Sequence, residues 1–211
     1  MSNSVAWSDQ SREDEIHVMR IDPHNLDIVR GELEHLVLSG GSISSGYETD
    51  TRISASLQTE GSNYISNSWL RIIHKFDGYE NELGTFIVTK KPTWKEKNGL
   101  KLYSYELQST LWGLSKDQCI NHFAIGSGAY SLDVFDRVCS TCGKAYIHNA
   151  PNNHRYSSSE VYEACTKYLS ILFDICGDST NRLDVDGHGR ITISKYTRPS
   201  QIIPSWDIID D

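Results

Sequence analysis

The feature that most constrains the fold is a series of short segments in which apolar and polar residues alternate between turn-forming residues. Residues 51–59 show it most clearly, because Ile53, Ala55 and Leu57 fall on one face and polar side chains on the other. Such alternation has the two-residue period of a half-buried strand. Six or seven short strands, with turns every ~8–12 residues, predict an antiparallel sandwich or barrel.

The other strands of the first half are bounded by turn signals of the same kind. Proline ends a strand because it lacks a backbone donor, and Asn-Gly and Asp-Gly pairs form tight turns. The glycine- and serine-rich residues 40–46 are predicted to be a link between strands. The predicted strands are residues 15–21, 32–38, 51–59, 69–76, 85–89 and 100–108.

The second half changes to the period of an α-helix. Residues 110–115 are expected to form a short helical turn. A longer helix follows, which Ser131 is expected to cap and Gly143 to end, and residues 146–154 are expected to be a loop. The apolar residues of the longer helix lie at three- and four-residue intervals, at Phe135, Val138, Cys139 and Cys142.

A second long helix is predicted over residues 157–176. Ser157 and Glu160 have the spacing of a capping box, and Gly177 can supply the left-handed stop. Two alternating runs around Asp186-Gly187 then predict a β-hairpin that lies beside this helix. The apolar face of the helix comprises Val161, Ala164, Cys165, Tyr168, Leu172, Ile175 and Cys176.

These patterns predict an α+β fold of mainly antiparallel barrel or sandwich modules with two inserted helices. Residues 1–110 are expected to form the antiparallel β-module, and residues 111–211 a helix-plus-hairpin module. Residues 206–209 have the pattern of a further strand.

The composition disfavours several classes of function. The net charge of −8, with acidic and basic residues interleaved, argues against nucleic-acid recognition and anionic membrane surfaces. No run of sequence approaches the ~18 apolar residues of a spanning helix, and residues 1–7 lack the pattern of a signal peptide. The odd count of five cysteines favours folding in a reducing cytoplasm, without a disulfide framework.

Cys139 and Cys142 form the strongest candidate site for chemistry. Their Cys-x-x-Cys spacing matches half of a zinc ribbon, and His148 and His154 could complete the ligand set. However, the gap between cysteine and histidine is shorter than the ~12 residues of a zinc finger, and there is no second Cys-x-x-Cys. Both cysteines also lie on an apolar helix face, where a free thiol behaves as a small apolar group. We therefore expect no catalytic residues, metal or cofactor, with a zinc- or thiol-dependent enzyme as the alternative.

Weaker patterns compete with ordinary structure. Cys119 precedes His122, which suggests a nucleophile and its base, but both residues lie in a predicted loop. Asp184 and Asp186 suggest a calcium loop, yet histidine and basic residues follow where oxygen ligands are required. The glycine pair in residues 126–128 could cradle a phosphate, but it also suits the entry to a helix.

Exposed aromatic residues would suit another alternative, a glycan-binding module. Such residues are more often core or interface anchors. Glu80 and Glu82 are expected to be solvated charges in a turn. The aromatic candidates are Trp94, Tyr103, Tyr105 and Trp112.

Several short motifs follow one another in a set order along the chain. They are HVMRIDP at 17–23, GSI at 41–43, TRISASL at 51–57, LGTFIVT at 83–89, YELQ at 105–108 and LDVDGHGRI at 183–191. In this order and spacing the chain resembles the hub, or tail-tip, proteins of long-tailed bacteriophages, which are related in fold to the baseplate hub of contractile tails.

The resemblance implies two barrel-like β-modules with helical insertions, assembled as a threefold ring at the end of the tail. Residues 1–110 would be the first hub barrel. Residues 111–211 would be part of a second, since hub proteins usually continue past the hairpin. It further implies a non-enzymatic structural protein, a homotrimer, that is made and assembled in the host bacterial cytoplasm and located at the tail tip of the virion. The implied partners are distal tail, tail tube, tape-measure or other tail-tip proteins.

Overall fold

The computed structural model describes residues 14–33, 37–46, 50–60, 65, 68–76 and 78–197. The chain divides into two compact units. The first comprises Met1–Trp112 with Val185–Arg190, and the second Gly113–Asp184 with Ile191–Asp211. Among the helices of the described residues, none has the length and apolar character needed to cross a membrane.

The first unit is built on one eight-stranded sheet, and every strand pairing described within it is antiparallel. Its strands are β1 (Asp14–Ile21), β2 (Val29–Glu32), β3 (Val37–Ser45), β4 (Ile53–Glu60), β5 (Trp69–Phe76), β6 (Tyr79–Val88), β7 (Thr93–Lys97) and β8 (Leu100–Gln108). Their order is β2-β1-β5-β6-β8-β4-β3, and β7 pairs with β8 off this path.

The core of this unit follows the alternation in the sequence. In β4, Ala55 and Leu57 are buried while Ser56 and Gln58 are exposed, as the two-residue period predicts. Burying such apolar side chains supplies about 1.5–3 kcal/mol each. The buried core residues are Val18, Ala55, Leu57, Ile65, Leu70, Ile72, Phe86, Val88, Tyr105 and Leu107.

The prediction of a strand over residues 32–38 and a link over 40–46 is wrong. The chain instead forms β2 and then β3, which runs through both glycines of the supposed link. At Gly41 an added Cβ would lie 2.8 Å from the Ser56 carbonyl oxygen. Glycine therefore permits close approach of two strand backbones here instead of marking a turn.

One further strand of this unit needs a smaller correction, one strand was not predicted, and one predicted turn is present. The strand predicted at 85–89 begins earlier, at Tyr79, and β7 was not predicted. The turn at Asn98-Gly99 is confirmed, with φ of +54° and +76° respectively. Two successive positive φ values are what a tight hairpin turn requires.

The α+β fold class is confirmed, with antiparallel pairing dominant. In the part of the chain that the structure describes, the two ends of the large sheet, β2 and β3, do not pair with each other. The sheet is therefore barrel-like but not closed.

The second unit combines two helices with two small sheets. The short helix α1 (Leu111–Leu114), predicted at 110–115, contains the position in the sequence where the first unit ends and the second begins. In the small sheets, β13 pairs with β10 in parallel and also neighbours β12, and β11 pairs with β9. The elements are β9 (Phe123–Ile125), α2 (Ser131–Thr141), β10 (Tyr146–Asn149), β11 (Glu160–Tyr162), α3 (Tyr168–Asp178), β12 (Asn181–Val185) and β13 (Ile191–Lys195).

The predicted helix over residues 157–176 is wrong in its first half. Helix α3 begins only at Tyr168, and Glu160, the partner in the supposed capping box, starts strand β11 opposite Ile125 of β9. Val161, assigned to the apolar face, is 59% exposed, and Cys165 has a φ of +70°. Pairing with a distant strand thus overrides a local capping pattern, although Leu172 is fully buried as predicted.

Smaller corrections concern the ends of the helices and one loop. Tyr130 is the N-cap of α2, and Ser131 Oγ instead accepts a hydrogen bond from the His154 amide at 2.9 Å. Gly143, with φ of +60°, follows α2 as predicted. Helix α3 continues through Gly177 to Asp178. The predicted loop 146–154 contains strand β10.

The predicted hairpin around Asp186-Gly187 is confirmed. Strands β12 and β13 are neighbours, and the Asp186 amide donates to the Arg190 carbonyl across the intervening loop at 3.0 Å. The connection is too short for parallel strands, so the pair is antiparallel. The strand predicted at 206–209 lies outside the described residues.

Candidate functional site

The loop Val185–Arg190 belongs to the first unit, whose sheet holds it through its backbone carbonyls. Thr85 Oγ1 donates to the Gly187 carbonyl at 2.8 Å, and Thr110 Oγ1 donates to the Gly189 carbonyl. Both threonines are buried. Each such bond contributes about 0.5–1.5 kcal/mol, and a buried donor left without a partner would cost more.

Arg71 of β5 is the centre of this network and is 3% exposed. Its Nε donates to Thr85 Oγ1 at 3.0 Å, and its Nη2 donates to the Leu26 carbonyl at 2.6 Å and the His188 carbonyl at 3.4 Å. Its Nη1 lies 3.4 Å from Glu82 Oε1. A buried guanidinium is tolerated only when paired and hydrogen-bonded in this way.

His188 lies between two carboxylates. Its Nε2 is 3.1 Å from Glu82 Oε2, and its Nδ1 is 3.4 Å from Asp27 Oδ1. Glu82 therefore contacts both Arg71 and His188. The charged groups face one another within the network, which is suited to fixing a loop rather than to chemistry on a ligand.

The two glycines of the loop are required by close approach to the sheet. At Gly189, φ is +84° and an added Cβ would lie 2.9 Å from Thr85 Cβ. At Gly187 an added Cβ would lie 3.0 Å from Glu82 Cβ. The glycines of this loop therefore serve docking, a role that reasoning about turns alone did not identify.

The carboxylates of the supposed calcium loop are bound by arginines. Asp186 Oδ2 accepts from Arg190 Nε at 2.7 Å, and its Oδ1 accepts from the Arg190 amide at 2.8 Å. Asp184 accepts from Arg182. These contacts account for both aspartates within the hairpin.

The candidate zinc ligands are held in different contacts. Cys139 is buried on α2, and His148 Nε2 contacts Asp136 Oδ1 at 2.7 Å. His154 packs edge-on against Tyr156, with the ring centroids 5.2 Å apart. Among the described residues, no group of three or more His, Cys, Asp or Glu side chains is placed to hold a metal ion.

The two thiols of the Cys-x-x-Cys pair are held in the protonated form. Burial raises the pKa of Cys139 far above that of a free thiol, and burial, with Asp117 nearby, raises the pKa of Cys142 to about 11. A thiolate is the form that binds metals and attacks substrates. At neutral pH both side chains therefore act as the small apolar groups expected on a helix face.

The other thiol candidate is likewise engaged. Cys119 is buried, and its Sγ donates to the Thr166 carbonyl at 3.0 Å. His122 Nε2 instead contacts Glu163 Oε2 at 2.9 Å. The structure shows no bond between this cysteine and histidine in the described contacts.

The glycine pair of residues 126–128 lies in a segment whose backbone amides bond to residues 156–159. The Gly128 amide donates to the Tyr156 carbonyl at 2.7 Å, and the Ser127 amide donates to Ser159 Oγ at 3.2 Å. Both amides, which a phosphate would require, are thus used within the chain. Of the two predicted solvated glutamates, Glu80 contacts Lys75 at 2.7 Å, whereas Glu82 belongs to the Arg71 network.

The candidate aromatic platform is divided between surface and core. Tyr105 is 1% exposed and its hydroxyl accepts from the Ile65 amide at 3.3 Å, whereas Trp94 is 55% exposed beneath Lys101. Trp94 pairs in register with Tyr103, which is half-buried. Trp112 follows in helix α1. The four residues therefore do not share one surface.

A second feature of the first unit is an open seam, which the sequence analysis missed. We use this name for the gap between residues 14–17 of β1 and residues 40–45 of β3. Among the described strands, β3 pairs only with β4, and residues 14–17 pair only with β5. The seam forms a groove of about 560 Å³ whose apolar lining includes Ile16, Leu38, Ile43, Leu57, Ile72 and Leu83.

Comparisons with known proteins identify the fold. No family model matches the sequence, and no curated protein matches it. The tail protein from Neisseria meningitidis MC58 matches with a TM-score of 0.64 and 14% identity over 92% of this chain and 56% of that one. The 43 kDa tail protein of prophage MuSo2 from Shewanella oneidensis matches with a TM-score of 0.61 and 14% identity over 86% and 53%.

A third solved structure, prophage tail protein gp18 from Listeria monocytogenes EGD-e, has a TM-score of 0.52 and 12% identity over 85% of this chain and 50% of that one. This chain thus spans about half the length of each of the three tail proteins. At these identities the likeness is one of fold. The chain has the fold of phage tail proteins, as its resemblance to hub proteins predicted.

Proposed function

We propose that this chain is a structural component of a phage tail tip, in which copies form a symmetric ring, a homotrimer, that connects the tail tube to the tip. The observation that carries the proposal is the fold shared with tail proteins over most of the chain. Residues 1–110 would be the first hub barrel and residues 111–211 part of a second. The protein would act by self-association and by docking neighbouring tail proteins, without catalysis.

The exposed strand β2 supports an assembly role. It lies at one end of the large sheet, and all four of its residues are exposed. Val29 and the preceding Ile28 are each 45% exposed. A sheet edge with exposed apolar side chains is a template for pairing with another chain. A closed ring would cover such an edge in every copy.

The mass of the protein in solution tests the ring. We expect light scattering to give the mass of three chains, at least when the tail-tube protein is present. Val29→Lys should abolish the trimer by placing a charge on the edge. Leu100→Lys, at a residue 51% exposed beside the β7–β8 turn, is the matched control and should leave it intact. A strictly monomeric chain, even with saturating tail-tube protein, would overturn the proposal.

Metal analysis tests the absence of metal chemistry. We expect well under one zinc per chain in untagged protein. Replacing Cys139 and Cys142 together by Ala should leave assembly intact. It should lower the free energy of unfolding by roughly 1–3 kcal/mol, because core volume is lost. Stoichiometric zinc, with unfolding on chelation, would favour the enzyme alternative.

A further inference from the structure

The hairpin of β7 and β8 differs in charge from the rest of the chain. Residues 90–101 contain five of the chain's 20 lysines and arginines but only one of its 28 aspartates and glutamates. The hairpin is therefore basic in a chain whose net charge is −8. Lys95 of β7 and Lys101 of β8 are both exposed. Exposed charge of one sign attracts a partner of the opposite sign.

Trp94 is the large apolar side chain of this hairpin. It pairs in register with Tyr103, and the Lys101 ammonium lies 5.1 Å from the centre of its ring. Trp94 is 55% exposed, whereas Tyr105 and Leu107, farther along the same face of β8 as Tyr103, are 1% and 0% exposed. The hairpin thus extends beyond the core and presents an exposed indole. Tryptophan is enriched among the residues that dominate binding energy at interfaces.

In the described part of the chain, the outer edge of β7 has no strand partner, because β7 pairs only with β8. Lys97 and Leu100 flank a two-residue turn, so they exchange both backbone hydrogen bonds, and the pairs alternate from there. Trp94 and Glu96 therefore direct their amides and carbonyls away from β8, and no described hydrogen bond uses these groups. An extended polypeptide can bond to them by adding a strand.

The lysines determine which kind of strand fits this edge. A lysine on an edge opposes pairing with an identical edge, because like charges then face one another. A carboxylate opposite Lys95 would instead form a favourable cross-strand pair. Since side chains alternate between the two faces, the residue next to that carboxylate lies on the face of Trp94. Nucleic acid matches the charge but lacks the alternating donors and acceptors of a strand.

We propose that β7 binds an extended acidic segment of a partner protein, which adds to β7 as a strand. The segment alternates apolar and acidic residues, with an apolar side chain on the Trp94 indole and a carboxylate beside Lys95. The backbone edge supplies affinity, and the indole and the lysine select the sequence. The surface would serve the docking of a neighbouring tail protein, and in this respect the inference rests on the proposed function.

Binding of a synthetic peptide to the intact chain tests the proposal. The probe is an acetylated, amidated peptide of four Glu-Val repeats, and the control probe has four Lys-Val repeats, with the same apolar pattern and the opposite charge. We expect calorimetry to show saturable binding of the Glu-Val probe alone. Bound probe should slow hydrogen exchange of the Trp94 and Glu96 amides at least tenfold and leave the Lys95 amide, which faces β8, unchanged. No saturable binding at millimolar Glu-Val probe, or equal binding of the two probes, would overturn the proposal.

Two variants separate the indole from the charge. Trp94→Ala and Lys95→Glu should each weaken binding of the Glu-Val probe at least fivefold. The matched controls are Tyr79→Ala, at another exposed aromatic strand residue, and Lys195→Glu, at an exposed lysine of β13. Both controls should bind as the wild type does, and wild-type exchange of the β4 amides reports an intact fold in all four. Equal binding by a variant and its control would contradict the role given to that side chain and overturn the proposal.

Two further measurements distinguish the other occupants. In the chain alone, the Trp94 and Glu96 amides should exchange faster than the Lys95 amide at every protein concentration. Protection that rises over a hundredfold range of concentration would assign the edge to a second copy. Displacement of the Glu-Val probe by equimolar duplex DNA would assign the surface to nucleic acid. Either result overturns the proposal.

The outcome is independent of the proposed ring, because the assays need neither a trimer nor a tail protein. A chain that binds the Glu-Val probe but remains monomeric would contradict the ring alone. A trimer that does not bind the probe would contradict this inference alone.

Discussion

The first unit contains two contrasting places where the sheet meets another part of the chain. At the docked loop Val185–Arg190, buried Thr85, Thr110 and Arg71 each bond to carbonyls of the incoming backbone. At the open seam, core-facing Ile16 and Ile43 are partly exposed and the backbone edges have no described strand partner. Within the described part of the chain, the sheet thus binds a distant loop in one place and has backbone edges without a strand partner in the other.

The contrast separates two sources of stability, hydrogen bonds between buried polar groups and the burial of apolar surface. The loop is held by buried polar groups. Removing one partner leaves the other buried without a hydrogen bond, which lowers the stability of the fold. The seam has partly exposed apolar side chains, and covering them with another segment would stabilise the fold. Substitutions at the loop should therefore destabilise the isolated chain more than substitutions in the seam.

The largest effect is expected at Arg71. Arg71→Met removes the buried charge, so that Thr85 Oγ1, Glu82 and the carbonyls of Leu26 and His188 lose their contacts with the guanidinium. We expect a loss of about 3–5 kcal/mol in the free energy of unfolding, measured with denaturant. Lys90→Met breaks an exposed pair with Glu106 and should cost no more than about 1 kcal/mol. Similar costs for the two variants would mean that the network does not hold the loop.

Shortening core side chains should distinguish the closed part of the sheet from the seam. Leu57→Ala, at a residue 4% exposed, should cost about 2–5 kcal/mol. Ile43→Ala, at 37% exposed, should cost clearly less, because its side chain buries less apolar surface. Calorimetry or denaturant unfolding gives both values. A cost at Ile43 equal to that at Leu57 would show that another segment covers the Ile43 side chain.

Alanine at Gly189 tests the close approach of the loop. Both Gly189 and Gly99 have positive φ, at +84° and +76°, but only Gly189 has an atom within 3 Å of an added Cβ. Gly99→Ala should cost about 1–2 kcal/mol for the backbone conformation alone. Gly189→Ala should cost about 1–3 kcal/mol more, because the loop must move from Thr85. If thermal unfolding shows equal losses, the contact with Thr85 is not tight.

The smallest effect concerns His17, which joins β1 to β2 beside the seam. Its ring nitrogens contact Glu32 and Glu15, and the pKa of His17 is raised by its hydrogen bond to Glu32 and then by that to Glu15, with burial and Lys75 opposing. Because the folded pKa lies above the unfolded value of about 6.5, protonation stabilises the fold below that pH. This contribution is lost as the pH rises through the raised pKa.

Unfolding of wild type and His17→Gln between pH 5.5 and 9 measures that contribution. The stability difference between the two proteins should be largest at the acid end and shrink as the pH rises. A difference that is constant over this range would show that the carboxylates do not hold the imidazole. An NMR titration of His17 in the folded protein should give a midpoint above 6.5.

Sequence patterns succeeded where one element's own period decides its structure. The alternation in β4, the Asn98-Gly99 turn and the apolar face of α2 follow from neighbouring residues alone. They failed at residues 157–167, where a capping pattern lost to pairing between β11 and β9. They also missed the role of Arg71, since an arginine within a mainly apolar strand gives no indication of which backbone it will bind.

The sequence by itself determined the α+β character of the chain, the positions of most strands and the hairpin at Asp186-Gly187, because side-chain period and turn chemistry are local properties. Only the tertiary structure decided that this hairpin's loop docks on β5 and β6 and that Gly41 and Gly189 serve close contacts. It also decided that, among the described residues, β1 and β3 do not pair with each other. Those outcomes depend on contacts between residues up to 117 positions apart, as in the bond from Arg71 to the His188 carbonyl. No local pattern encodes such a partner, because the free energy of the contact exists only once both strands and loop are in place.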